Sequence, residues 1–274
     1  MSASGQLRTS VRIGYAELIA IQLAAHADRL RALHHASEPL VLPNVWDAAS
    51  ARAVVEAGFP VVATSSHAVA DSLGWADGQR TPTDEMFSAV ARIARVVEVP
   101  VTADLEGGYG LSAEEFVARM LAAGVVGCNL EDTDHSSSGV LLDPVRHADY
   151  LAAVKAAGRA AGVDIVLNAR VDVFLRQVGE PAERARLAID RARHYVRAGA
   201  DCVFPFGIRE EADIQAMLRE LDCPLNVILL SGAPPTARLR ELGVARISFG
   251  GRLHRAAQSE LQRQLQSIRS GGTV

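Results

Sequence analysis

AAGVVGCNL, residues 122–130, compresses a helix terminus, a glycine stop and an unbroken apolar strand into one short run. The same phrase returns as EAGFPVV (56–62), AAGVDIVL (160–167) and RAGADCVF (197–204). Glycine at the stop supplies the left-handed backbone that closes a helix, and strands apolar on both faces belong in a parallel sheet covered by helices. Working outward, strands are expected near 39–43, 60–65, 99–106, 125–131, 164–170, 201–206, 224–230 and 244–249. Helical stretches fall at 47–57, 83–97, 112–123, 144–161, 180–198, 209–220, 234–242 and 251–269, with starts marked by Thr83 and by Ser112 three residues before Glu115. Strict alternation of eight strands with helices predicts an α/β fold of the (β/α)₈ TIM-barrel type, with a doubly wound sheet as the alternative. No GxGxxG or GxxxxGK[ST] follows any strand to favour that alternative. The expected organisation is a single domain over 1–274: an extra N-terminal helix at 11–36, the barrel at 39–250 and a C-terminal helix at 251–269.

Composition narrows the function classes. The chain has 274 residues, 49% of them hydrophobic, and a formal charge of −4, which suits a globular domain with a large core. No run is long and apolar enough for a membrane span, and MSASGQLRTS lacks the order of a signal peptide, so a cytoplasmic protein without membrane partners is expected. Arginines are interleaved with acids, which argues against nucleic acid. Cys128, Cys202 and Cys223 lie far apart, without CxxC spacing, and read as small core residues. Among 28 basic residues only Lys155 is lysine. It sits in an alanine-rich helical stretch where a solvated side chain is expected, so amine-based catalysis is disfavoured.

Catalytic groups of a parallel barrel belong at the C-terminal ends of its strands. There the sequence places Asn44 and Asp47 after the first strand, Ser65, Ser66 and His67 after the second, and Asp104 and Glu106 before GGYG (107–110) at the third. Glu131 and Asp132 end the fourth, and Asn168, Arg170 and Asp172 the fifth. Asp104 and Glu106, two apart in extended chain, project to one side, and Glu131 on the neighbouring strand can meet them. Converging carboxylates need a positive partner, and an oxygen-only set suits Mg²⁺, or Mn²⁺, over zinc. The alternative is a rim network with arginines. Arg170 offers a bidentate fork to a substrate carboxylate or phosphonate, unless Asp172 or a metal-site acid claims it. Backbone amides at Ser65, Ser66 and His67 could face an oxyanion, and the glycines of GGYG allow close backbone approach.

LPNVWDAASARAVVEAGFPVVATSS (42–66), DLEGGYG (104–110), GCNLED (127–132), LNARVDVFL (167–175) and PLNVIL (224–229), in this order and spacing, resemble the isocitrate lyase/phosphoenolpyruvate mutase superfamily. The resemblance runs from about 39 to 255. It implies a (β/α)₈ barrel whose last helix is swapped between subunits of dimers that pair into tetramers, and a Mg²⁺ that chelates a 2-oxo acid or its enolate. Asp104 and Glu106 then match the metal pair, with glutamate in place of the second aspartate. Glu131 matches a further ligand, and Asp77 an additional metal-site aspartate. Ser66 and His67 stand where backbone amides hold the pyruvyl oxygens. Arg170 matches the arginine that binds carboxylate or phosphonate, and Asn226 an asparagine lining the pocket.

Departures from the family bear on the reaction. Isocitrate and methylisocitrate lyases carry a Lys-x-Cys-Gly-His gating loop, where this chain reads DTDHSSSGVLLDP (132–144), with neither lysine nor cysteine. The Lys and Asn of the mutases are absent too, and the glutamate common after the sixth strand is replaced within VFPFG (203–207). His135 is the group on this loop that could serve as acid or base near neutral pH. The expectation is a Mg²⁺-dependent carbon–carbon lyase, working through a metal-stabilised enolate of a small 2-oxo or 2-hydroxy dicarboxylate. Oxaloacetate-type decarboxylation and methylisocitrate-type cleavage both stay open. A P–C bond enzyme and a non-catalytic 2-oxo acid binding protein are the alternatives.

Overall fold

The computed structural model describes residues 14–137 and 139–272. Helix α1 (Tyr15–Leu33) precedes β1 (Leu40–Leu42) and β2 (Asn44–Val45), followed by α2 (Ala48–Glu56), β3 (Val62–Thr64), α3 (Ser66–Leu73), α4 (Thr83–Ala94) and β4 (Val101–Asp104). Then come α5 (Ala113–Ala122), β5 (Gly127–Glu131), α6 (Pro144–Ala160), β6 (Val166–Val171), α7 (Arg184–Arg197), β7 (Cys202–Pro205) and α8 (Glu211–Glu220). The chain ends with β8 (Asn226–Ile228), α9 (Thr236–Leu242), β9 (Arg246–Ser248) and α10 (Arg252–Arg269).

All strand pairs are parallel, in the orders β2-β3-β4-β5-β6-β7 and β1-β9-β8. Pro43 explains the split. It has no N–H to give a ladder, so the strand expected at 39–43 holds only β1, paired with β9, and the extended chain resumes beyond it as β2, paired with β3. A single bridge between Val203 and Leu225 links the two sheets on the other side. The fold is thus the α/β barrel type with strands in sequence order, but its hydrogen-bonded ladder is not continuous around the ring.

The predicted helices are found with trimmed ends, and 180–198 opens as a 3₁₀ turn (Pro181–Glu183) before α7. Helix α3 is an addition to the expected elements: the polar run Ser65–Ser66–His67, expected to end the second strand, opens a helix instead. Residues 11–13 of the predicted N-terminal helix lie outside the described residues. Ser112 caps α5 by accepting from Glu115 N at 3.2 Å, whereas the Thr83 side chain caps nothing and Pro82 takes that position. A reciprocal capping box forms instead at Asp47 and Ser50.

Helix α1 plugs the N-terminal end of the barrel. Leu30 is buried so close to β5 that a Cβ on Gly127 would lie 2.6 Å from its terminal methyl, so a larger residue at that strand position would push the helix side chain aside. Arg31 reaches Asp201 at 2.9 Å, and the same aspartate meets Lys155 Nζ at 2.9 Å. Lys155 also donates to Ile165 O at 2.6 Å and pairs with Asp164 at 2.8 Å. The solvated lysine expected from sequence is therefore corrected: Lys155 is buried on α6, and its ammonium joins Asp164 and Asp201 in a structural ion cluster remote from the strand ends that hold the site. Cys128 and Cys202 are buried and Cys223 is half-buried, all as free thiols. No described helix is long and apolar enough to cross a membrane.

Removing one partner of a buried ion pair strands the other charge, at a cost of about 3–5 kcal/mol. Lys155→Ala is expected to lower the unfolding free energy by about 3 kcal/mol, read by urea denaturation. His34 and His147 are both pushed down to about 4, chiefly by burial and secondarily by Arg246 and Arg191 respectively. Their folded pKa lies below the unfolded value near 6.5, so the unfolded chain takes up protons that the fold refuses. Stability should fall as pH drops from about 6.5 toward 4, and His147→Gln should flatten that decline in melting curves.

Candidate active site

A cavity of about 370 Å³ opens at the C-terminal ends of β3 to β6, lined by Ser66, Asp77, Glu106, Glu131, His135 and Arg170 among others. Helix α3 begins at this mouth. Ser66 donates to Asp104 Oδ2 from its backbone N at 3.2 Å and from its hydroxyl at 2.8 Å, so the helix N-terminus is aimed at a carboxylate of the site. Asp104 Oδ1 is buried without a hydrogen-bond partner.

Glu106 follows in the left-handed region, with φ of 52°, a strained setting for a non-glycine residue. Its Oε1 accepts from Gly78 N at 2.9 Å and Gln79 N at 2.8 Å, which ties down the loop carrying Asp77, while Oε2 is buried and unpartnered. Burial raises its pKa, the Tyr109 hydroxyl beside it and the Gln79 amide act the other way, and the charges of Asp104 and Asp77 add to the rise. Two of the neighbouring glycines are closely hemmed in by side chains of the protein. A Cβ on Gly108 would fall 2.6 Å from the Tyr150 hydroxyl, and one on Gly107 would fall 2.8 Å from Gln79 Nε2.

Glu131 is buried between two partners: His135 Nε2 meets its Oε1, and Arg170 Nη1 forms an ion pair with its Oε2. Burial pushes its pKa up, and the Arg170 guanidinium offsets this only in part. For His135, burial acts downward, but the hydrogen bond to Glu131 and the surrounding carboxylates outweigh it and raise the pKa. Arg170 is gripped further by Asp172, with Nε to Oδ1 at 2.6 Å and Nη2 to Oδ2 at 3.0 Å. The Phe206 ring lies 4.0 Å from its guanidinium carbon.

Asp172 in turn accepts from Thr133 Oγ1 at 2.6 Å, and its backbone N donates to Asp132 Oδ1 at 2.9 Å. Asp132 is anchored by Arg191 at 2.7 Å and by the Tyr195 hydroxyl at 2.8 Å. The segment read as a gating loop is a short hairpin, with Thr133 bridging Leu141 and Leu142 N donating to Asp132 O at 2.8 Å. It brings His135 over the cavity.

The remaining predicted residues are placed less directly. Ser65 is the N-cap residue of α3, and His67 faces Asp77 at 3.7 Å with half its side chain exposed. Asn44 is committed to the scaffold: Nδ2 donates to Thr64 O, and Oδ1 accepts from Phe249 N and Gly250 N, each at 2.8 Å. Asn226 is buried on β8, accepts from Ser248 Oγ at 3.3 Å and does not line the cavity. Sequence reasoning missed Arg80 and Arg176, which do line it, and the ring of Phe206 against Arg170. Arg176 lies six residues past Arg170, beyond the end of β6 at Val171.

The donor set can be tested against a divalent ion. Among the described residues, no three His, Cys, Asp or Glu side chains stand together as a metal cluster. Mg²⁺ does not require one, because it keeps several waters and takes one or two carboxylates. Asp104 Oδ1 and Glu106 Oε2, both buried and unpartnered, are oxygen donors of that kind. They fit a hard cation and would not suit zinc.

Comparison with known proteins shows the family. The family model described as phosphoenolpyruvate phosphomutase matches residues 30–269. A probable 2-methylisocitrate lyase of Corynebacterium glutamicum is 29% identical over 255 residues, covering 89% of this chain and 80% of the relative. An oxaloacetate decarboxylase of Pseudomonas fluorescens is 28% identical, covering 85% and 76% respectively. Among solved structures, oxaloacetate acetylhydrolase in complex with oxalate superposes with a TM-score of 0.81 at 25% identity, over 90% of this chain and 87% of that one. With the barrel, the acids at its strand ends and a family model that matches nearly the whole chain, the protein belongs to the phosphoenolpyruvate phosphomutase family, within the isocitrate lyase/phosphoenolpyruvate mutase superfamily.

Proposed function

We propose that the chain is a carbon–carbon lyase, dependent on Mg²⁺ or Mn²⁺, that acts on a small 2-oxo or 2-hydroxy dicarboxylate. The observation that carries this reading is the buried, unpartnered carboxylate oxygen of Glu106 in one cavity with Glu131 and Arg170, with a second such oxygen on Asp104, which is hydrogen-bonded to the cavity residue Ser66. A bound divalent ion supplies Lewis-acid stabilisation of the charge left on the 2-oxo acid when the bond to C3 breaks. Ser66 holds Asp104 in one orientation, and Glu106 keeps the Asp77 loop against the site. Arg170, locked by the Asp172 fork, presents Nη1 toward Glu131 and orients a substrate carboxylate. The hydrogen-bonded pair Glu131 and His135 is the acid/base of the chain in this reading. In a retro-aldol cleavage it takes the proton of the C2 hydroxyl, which becomes a carbonyl as the C2–C3 bond breaks, and returns one to C3 of the other product, which holds the electron pair of that bond.

The same reading includes a homodimer or homotetramer formed through exchange of α10. That helix buries only His254 and exposes Leu253, Leu261, Leu265 and Ile268 at spacings of one or two turns. An apolar groove of about 640 Å³ beside its start is lined by Trp46, Ala53, Val54, Phe59 and Phe249. P–C bond chemistry is the second reading, favoured by the phosphomutase family model.

Pyruvate release should be measured with Mg²⁺ from oxaloacetate, methylisocitrate, dimethylmalate and phosphonopyruvate. Turnover of one of the first three is expected, and turnover of phosphonopyruvate alone, with phosphate released, overturns the lyase reading. Asp104→Ala should reduce the metal-dependent rate by about a hundredfold or more, equivalent to roughly 2.7 kcal/mol of lost stabilisation, with an unchanged melting temperature. Changing Leu261 and Leu265 together to Glu should convert the oligomer to monomer in light scattering after gel filtration. An unaltered mass would refute the exchange.

A further inference from the structure

We infer that Arg176 is a specificity-determining residue of the proposed site, receiving the anionic group of the substrate that lies farthest from the metal-site acids. The inference rests on the proposed 2-oxo acid site and names the residue that selects among its substrates.

Three guanidiniums line the cavity, those of Arg80, Arg170 and Arg176. Arg170 is already engaged: Nε and Nη2 are taken by Asp172, Nη1 by Glu131, and its face by Phe206. Arg170 can orient one carboxylate by exchanging Glu131 for it, but it has no free edge for another. Arg80 and Arg176, by contrast, have no carboxylate within 4 Å among the described residues. The one side-chain hydrogen bond of Arg176 there runs from Nε to Thr133 Oγ1 at 3.3 Å, so the Nη edge is unmatched.

Two features hold Arg176 at the cavity. Its backbone N donates to Asp172 O at 2.8 Å, directly after the residue pair that fixes Arg170. Its guanidinium lies against Gly139 of the hairpin, where a Cβ would come within 2.6 Å of Nη1 and 2.7 Å of Cζ. The hairpin that carries His135 is therefore shaped around this side chain, and the bare glycine leaves space for it. A guanidinium matches carboxylate and phosphonate alike, through paired N–H donors. The volume, about 370 Å³, lies in the range that holds whole ligands, so a distal group can share it with the chelated head. Arg80 is a second guanidinium facing the same space.

Calorimetry on the Mg²⁺-loaded protein tests this with three probes. Oxalate has nothing beyond the two carboxylates a metal chelates; malate adds a distal carboxylate, and phosphonopyruvate a distal phosphonate. Arg176→Gln is expected to weaken malate or phosphonopyruvate binding about tenfold or more while oxalate changes less than about twofold, with partial recovery in Arg176→Lys. The probe that suffers the larger loss identifies the distal group. Equal losses for all three probes, or no loss for any, overturn the inference. Failure of the wild-type protein to bind oxalate with Mg²⁺ instead overturns the proposed 2-oxo acid site itself.

Discussion

The buried guanidinium of Arg170, held between Asp172 and Glu131, is the interaction on which the site depends. Taking these three charges out of water costs several kcal/mol apiece, so none would be tolerated alone in the barrel mouth. Each pays its desolvation through the next, and the chain continues from Asp172 through Thr133 and through the Asp132 carboxylate to Arg191 and Tyr195. The hairpin over the cavity is tied to β6 and α7 by this series, which makes the position of His135 a consequence of barrel electrostatics. A loop with no cysteine and no lysine can still place a proton-bearing group over the cavity, because its base is pinned so firmly.

Much of this was legible in the amino-acid sequence, for physical reasons. Helix ends closed by Gly124, Gly162 and Gly199, each followed by an apolar strand, signal a parallel sheet with helical cover, and the strand ends then nominate Asp104, Glu106, Glu131 and Arg170. Both readings weighed for Arg170 meet in one side chain: it faces the cavity and is also paired with Asp172 and a site acid.

What escaped the sequence is equally specific. Pro43 ends the first expected strand, yet the extended chain resumes beyond it in the other sheet. The polar run Ser65–Ser66–His67 hid the start of α3, because serines and a histidine have no helical periodicity and the packing that decides their conformation is tertiary. Lys155 and Asp201 are separated by 46 residues, so no local pattern reports that they meet. Arg80 and Arg176 lie on loops, where periodicity carries no information about which way a side chain turns. Asn44 was nominated by its place after a strand, yet its amide is spent joining that strand to its neighbours.

The burial of Lys155 also shapes how the molecule presents itself to reagents and modifying enzymes. Every other basic side chain that is not histidine is an arginine, so no accessible side-chain amine is on offer. Acetylation, glycation, ester-activated labels and amine-coupled surfaces are left with the chain's amino terminus, and tryptic digestion of the folded protein becomes cleavage after arginine. The surface keeps its positive charge under alkaline conditions that would neutralise a lysine-rich homologue, since a guanidinium gives up its proton far less readily than an ammonium group.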